Sequence, residues 1–137
     1  MGQFPITRTT SPKAKPADDS LAFGKVLTDH MFLMNYEEGK GWFDPRIVPY
    51  GPLSLDPATQ VLHYGQAIFD GLKAFRGDDG QIRLFRPDRH AERFNRSARL
   101  MSMPALPVDI VRASFDALVG VDADWVPRKP GTSLYLR

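Results

Sequence analysis

Between positions 83 and 99, six arginines (Arg83, Arg86, Arg89, Arg93, Arg96 and Arg99) stand against two acids, Asp88 and Glu92. Arg89, Arg93 and Arg96 follow an i, i+4, i+7 spacing, which places them on one side of a helix. A guanidinium is a planar fork that grips a phosphate through two parallel donors, whereas a lysine acts as a point charge. The stripe is therefore a candidate anion grip, set against the commoner use of such a stripe as a solvated helix face. A second candidate is the stretch 62–77, LHYGQAIFDGLKAFRG, in which Tyr64, Phe69, Asp70 and Lys73 surround Gly65 and Gly71. Its bland reading is a packed helix-turn-strand corner. Lys73 sits beside Phe75 in an alternating segment; desolvation there would make its amine a nucleophile, but an exposed strand lysine is the commoner case.

Other chemistries lack parts. The chain has no cysteine and three separated histidines, His30, His63 and His90, so disulfides, thiolate metal sites and histidine ligand pairs are not expected. Each histidine reads as a satisfied structural one. No G-x-G-x-x-G or G-K-[ST] string occurs. The formal net charge is only +2, and Phe94 alone interleaves with the arginines, so neither nucleic acid nor an anionic membrane is an expected partner. No signal-peptide core and no apolar run of about 18 residues is present, which together with the lack of cysteine predicts a soluble, cytoplasmic protein.

These groups must be positioned by elements that the pattern also predicts. With 137 residues, 42% of them hydrophobic, the chain has the size of one domain with a core. Residues 1–20 combine Pro5, Pro12 and Pro16 with Lys13 and Lys15 and few large apolar groups. They predict a flexible arm, mobile or draped on a partner surface, ahead of a domain over 21–137. A strand is expected over 25–36, with Val26, Leu27, Met31, Phe32, Leu33 and Met34 buried on both faces, followed by a turn at Gly39 and Gly41 and a second strand over 46–50. The apolar spacing of Val61, Tyr64, Ala67 and Ile68 predicts a helix over 61–70 that stops at Gly71. Asp79-Gly80 between alternating segments predicts a hairpin of 72–76 with 81–86. After Pro87, the spacing of Ala91, Phe94, Ala98 and Met101 predicts a helix to about Ser102. Another is expected over 109–119, with Val111, Phe115, Leu118 and Val119 facing the core and Gly120 as its stop. A last strand is expected over 131–137. The fold class is thus α+β, helices packed on a mostly antiparallel sheet.

The strings FGKVLTDHM (23–31), LHYGQAIFDGLKAFRG (62–77), RLFRPD with the following Glu92-Arg93, DWVP (124–127) and GTSLYLR (131–137) carry a family likeness. In this order and spacing they resemble the N-terminal half of a branched-chain amino acid aminotransferase, a pyridoxal 5'-phosphate enzyme of fold type IV. D-amino acid aminotransferases and aminodeoxychorismate lyases share that scaffold but not this set of strings. The resemblance implies that Arg93 binds the cofactor phosphate and that Phe23, Tyr64, Phe69 and Tyr135 line a pocket for an aliphatic side chain. Arg137 would meet the second carboxylate of glutamate or 2-oxoglutarate. Tyr64 would reach the neighbouring subunit's pocket in a homodimer. Asp70 departs from the family, which usually has glutamate before the glycine; the charge is kept and the reach shortened.

The resemblance further implies that the Schiff-base lysine and the glutamate facing the pyridine nitrogen lie in a C-terminal half beyond this chain, so that Lys73 is not the catalytic lysine and no catalytic residue is assigned here. The expected function is that of the small N-terminal domain, as a fragment, of an enzyme of branched-chain amino acid biosynthesis. That enzyme passes the amino group of Leu, Ile or Val to 2-oxoglutarate, and the fragment by itself is expected to be inactive. The competing expectation is a non-catalytic anion-binding or interaction module of the same fold, using Arg89, Arg93 and Arg96.

Overall fold

The computed structural model describes residues 4–137; the first three residues of the expected arm lie outside them. Five strands and three α-helices follow in an α+β order. Strands β1 (His30–Glu37) and β2 (Gly41–Pro49) form an antiparallel hairpin, closed by Gly39 and Gly41 at φ 83° and 81°, conformations that favour glycine. The expected second strand began only after Pro45. The structure carries β2 through that proline because the register slips opposite Leu33–Asn35. Asp44 takes φ 55°, and such an irregularity is where a strand tolerates proline. The first strand, in turn, starts at His30 rather than residue 25. Val26 and Leu27 are exposed in the turns before it, so their expected burial does not occur.

Residues 4–13 are laid along this hairpin instead of extending as a separate arm. Phe4 is buried edge-on against Phe32, with ring centroids 5.3 Å apart. Ile6 bridges Ile47; the Thr7 N–H donates to the Ile47 carbonyl, and the Ile47 N–H to the Pro5 carbonyl, both at 2.9 Å. The Lys13 N–H donates to Asp29 Oδ1 at 2.9 Å. One buried aromatic and a row of paired backbone groups offset the ordering entropy that composition alone suggested would prevail.

Helix α1 is short (Gln60–Tyr64). Gly65, left-handed at φ 62°, ends it well before the expected stop at Gly71. Strands β3 (Leu72–Arg76) and β4 (Ile82–Leu84) form the expected hairpin, and β5 (Leu134–Leu136) pairs antiparallel on the other side of β3. Helix α2 (Pro87–Leu100) begins with proline in its first turn. Helix α3 (Val108–Val121) runs straight through Gly120. Ala74, Val119 and Val126 form a buried cluster packed by Ile82, Leu84, Leu134 and Leu136, so the inner face of the three-stranded sheet closes on the end of α3.

On α2 the buried positions are Ala91, Asn95 and Ala98; Met101 lies past the helix end and is exposed. The polar Asn95 is tolerated inside because its amide donates to the Leu106 carbonyl and accepts from the Leu106 N–H, both at 2.7 Å. This clamp fixes the α2–α3 connection.

Candidate functional site

Arg93 projects from α2 towards the turn that leads into β3. Its Nε donates to Asp70 Oδ1 at 2.6 Å and its Nη2 to Asp70 Oδ2 at 3.0 Å. His90, one turn earlier on the same helix face, places Nδ1 2.9 Å from Asp70 Oδ2. A lone pair on Nδ1 would repel the carboxylate at that distance, so Nδ1 carries the hydrogen and donates. The Asp70 side chain is only 12% exposed and that of Arg93 55%. Burial by itself would raise the Asp70 pKa, but the hydrogen bonds from Arg93 and His90 outweigh it and hold the carboxyl below its ordinary value. Asp70 in turn raises Arg93, with a small contribution from the neighbouring Tyr135.

Tyr135 stands on β5 opposite Lys73 of β3. Its ring occupies the space over Gly71, where an added Cβ would fall 2.0 Å from the hydroxyl oxygen. Glycine at 71 is thus a seat for the Tyr135 ring. Phe23 packs against that ring at 5.0 Å between centroids, and Arg137 reaches back to Gly24. The fold therefore joins Phe23, Tyr135 and Arg137, from opposite ends of the chain, to the Asp70–His90–Arg93 cluster.

It does not bring Tyr64 and Phe69 into the same group. Tyr64, at the end of α1, is 79% exposed and has His63 as its ring neighbour; Phe69, in the following loop, is 80% exposed. Phe23 is likewise 74% exposed. Phe23, Tyr64 and Phe69 are thus exposed rather than lining an enclosed pocket. A cavity of about 440 Å³ lies elsewhere, beneath the N-terminal segment, between Arg8, Lys13, Asp29, His30, Asp122 and Trp125. None of the sequence-predicted site residues lines it.

Three of the six arginines between positions 83 and 99 are paired with carboxylates. Arg89 donates to Glu92 at 2.8 Å, Arg83 is bound to Asp79 at 2.6 Å, and Arg93 is held by Asp70. Of the three arginines in the alternative anion grip, two are thus occupied by carboxylates. Lys73 is exposed on the outer face of β3. Among the described residues no group of three histidines, cysteines or acids is placed to hold a metal ion, and no helix is long and apolar enough to cross a membrane. The sequence reading did not single out His90 and Gly71 as site residues. The i, i+3 spacing of His90 and Arg93 was available as a signal, but the partner that makes it meaningful, Asp70, is 20 residues from His90.

No protein-family model matches the chain. Full-length curated proteins do. The chain is 55% identical over 130 residues to branched-chain-amino-acid transaminase 1 of Bacillus subtilis, covering 95% of this chain and 36% of that protein. It is 52% identical to a probable branched-chain-amino-acid aminotransferase of Streptomyces coelicolor, covering 92% of this chain and 37% of the relative. A Mycobacterium tuberculosis branched-chain-amino-acid aminotransferase is 44% identical over 98% of this chain and 38% of its own length. The chain is homologous to these aminotransferases along nearly its whole length and spans well under half of theirs.

Proposed function

We propose that this chain forms the small-domain wall of the active site in a branched-chain amino acid aminotransferase, with Arg93 as the residue that grips the phosphate of pyridoxal 5'-phosphate. The observation that carries the reading is Arg93 itself. In a chain so similar to named transaminases, its guanidinium is fixed along one edge by Asp70, beside Tyr135, while Nη1 has no partner among the described residues. A dianionic phosphate fits that open edge. The bound cofactor would supply the electron sink that lets an amino group pass from an amino acid to a 2-oxo acid.

This chain's own residues would bind and orient. Tyr135, seated over Gly71 and packed on Phe23, offers a rigid apolar wall to the side chain of leucine, isoleucine or valine. Arg137, beside Gly24, would pair with the distal carboxylate of glutamate or 2-oxoglutarate. Tyr64 and Phe69, exposed here, would be covered by the rest of the enzyme or by a second subunit of a homodimer, closing the pocket and excluding water. The 137-residue chain alone would not transaminate, because the catalytic lysine is proposed to lie in the remainder of the enzyme.

In the full enzyme, Arg93→Ala should weaken retention of the cofactor by about 1.5–3 kcal/mol, the size of a charge-assisted contact. Unchanged affinity would remove the role assigned to Arg93. For the isolated chain, incubation with pyridoxal phosphate, borohydride reduction and mapping of adducts should give no single stoichiometric site. One such site together with measurable leucine transamination would overturn the proposed inactivity.

A further inference from the structure

Arg93 is exposed over half of its side chain, and a free surface arginine samples many rotamers that it must surrender on binding an anion. Here it is not free. Asp70 takes the Nε–Nη2 edge side-on through two bonds, and because the guanidinium is planar this fixes the direction of the remaining edge. The open donors are the two hydrogens of Nη1, which has no partner among the described residues; Nη2, besides its bond to Asp70, lies 3.1 Å from His90 Nδ1. Asp70 is itself fixed by the His90 Nδ1–H, and its carboxylate sits in the turn next to Gly71, where the Tyr135 ring closes over the backbone.

We propose that Asp70 and His90 are positioning residues for Arg93: they hold its side edge so that its open Nη1 donors are presented ready-made to a phosphate monoester. The inference rests on the reading of Arg93 as the phosphate grip and adds two residues that act only through it. It makes a prediction opposite in sign to simple electrostatics. Removing the Asp70 charge makes the face more positive, which by Coulomb attraction alone strengthens anion binding. If Asp70 acts by preorganisation, removing it weakens binding instead.

The test uses the whole 137-residue chain and two readouts. The probe is pyridoxine 5'-phosphate, which cannot form imines with surface lysines, with unphosphorylated pyridoxine as control, titrated by phosphorus and proton NMR. The second readout, independent of any ligand, is the Arg93 Nε–H resonance, which the 2.6 Å bond to Asp70 should shift and protect from exchange. Asp70→Asn turns one acceptor into a donor facing the guanidinium and should abolish that protection. The variant should also weaken phosphate binding about three- to tenfold, the range expected when one arginine must be immobilised on binding. His90→Gln should produce a smaller change in the same direction. Asp70→Glu, which keeps the carboxylate, should restore part of both signals and guards against the case in which Asp70→Asn fails to fold.

If Arg93→Ala removes phosphate-dependent binding while Asp70→Asn binds as tightly as the parent or more tightly, the positioning role is overturned and the phosphate reading stands. If Arg93→Ala leaves binding unchanged, or the parent shows no preference for the phosphorylated probe, the phosphate reading itself falls. An unprotected Arg93 Nε–H in the parent chain overturns the positioning role directly.

Discussion

Replacing Asp122 by alanine should cost this domain a large share of its stability and loosen its N-terminal segment at one identifiable amide. Asp122 and His30 are 3% and 7% exposed. Asp122 Oδ1 accepts the His30 Nδ1–H at 2.6 Å, and Oδ2 accepts the His30 backbone N–H at 3.2 Å. With Nδ1 engaged as donor, Nε2 is left as acceptor and takes the Thr9 N–H at 3.0 Å. One carboxylate thus ties the end of α3 to the start of β1 and selects the imidazole tautomer that receives the N-terminal segment. Two hydrogen bonds to a buried carboxylate are worth about 1.5–3 kcal/mol each. Release of the carboxylate's own desolvation cost returns part of that, so the net loss should be about 3–5 kcal/mol. A domain of this size has about 5–15 kcal/mol in total. Urea denaturation measures the loss, and hydrogen exchange locates it. The Thr9 amide should lose protection, while the Thr7 amide, bonded to the Ile47 carbonyl, should keep more of it. A double-mutant cycle of His30→Ala with Asp122→Ala should give a coupling of about 1–3 kcal/mol. A loss below about 1 kcal/mol, or no coupling, would refute the assignment of this pair as the tie between the three segments.

Two further outcomes follow from the same geometry. Gly71→Ala places a methyl 2.0–2.5 Å from three atoms of the Tyr135 side chain, so the ring must swing off its seat. The change should cost about 1–3 kcal/mol, and the nuclear Overhauser contact between Phe23 and Tyr135 should disappear; its persistence would show that the backbone, not the ring, gives way. At low pH, burial raises the carboxyls of Asp29 and Asp70, but their hydrogen-bond donors outweigh it and hold both below the ordinary value. Such groups bind protons more readily in the unfolded chain. Their stabilisation is therefore complete above about pH 4 and lost as pH falls through the depressed folded values. Denaturation midpoints measured between about pH 5 and 2 should fall, and Asp29→Asn should flatten the slope; an unchanged slope would exclude Asp29 as a contributor.

The elements that were legible in the sequence are those whose signal is local. Asp79-Gly80 closes the β3–β4 hairpin, Pro87 opens α2, and the spacing of Ala91 and Ala98 marks its buried face. The family strings likewise carried the resemblance that the curated relatives bear out along nearly the whole chain. Misreadings arose where a local signal had two meanings. The helix over 61–70 was expected to stop at Gly71, yet Gly65 adopts the left-handed conformation that ends it and Gly71 instead leaves room for a ring that comes from β5. The second strand was expected over 46–50, and β2 instead starts at Gly41 and absorbs Pro45 by a slip in register.

The amino-acid order alone marked the two longer helices and the hairpins and set Arg93 in a helical stripe with Arg89 and Arg96, because propensity, turn chemistry and side-chain type are written within a few residues of one another. What Arg93 is attached to was decided only by the fold. The bonds from Asp70 to residues 20 and 23 positions away, from His30 to Asp122, and the tilted ring contact of Phe23 with Tyr135 join segments that share no local signal. Such contacts come into being only when packing brings the segments together, and they turn a stripe of arginines into one oriented fork.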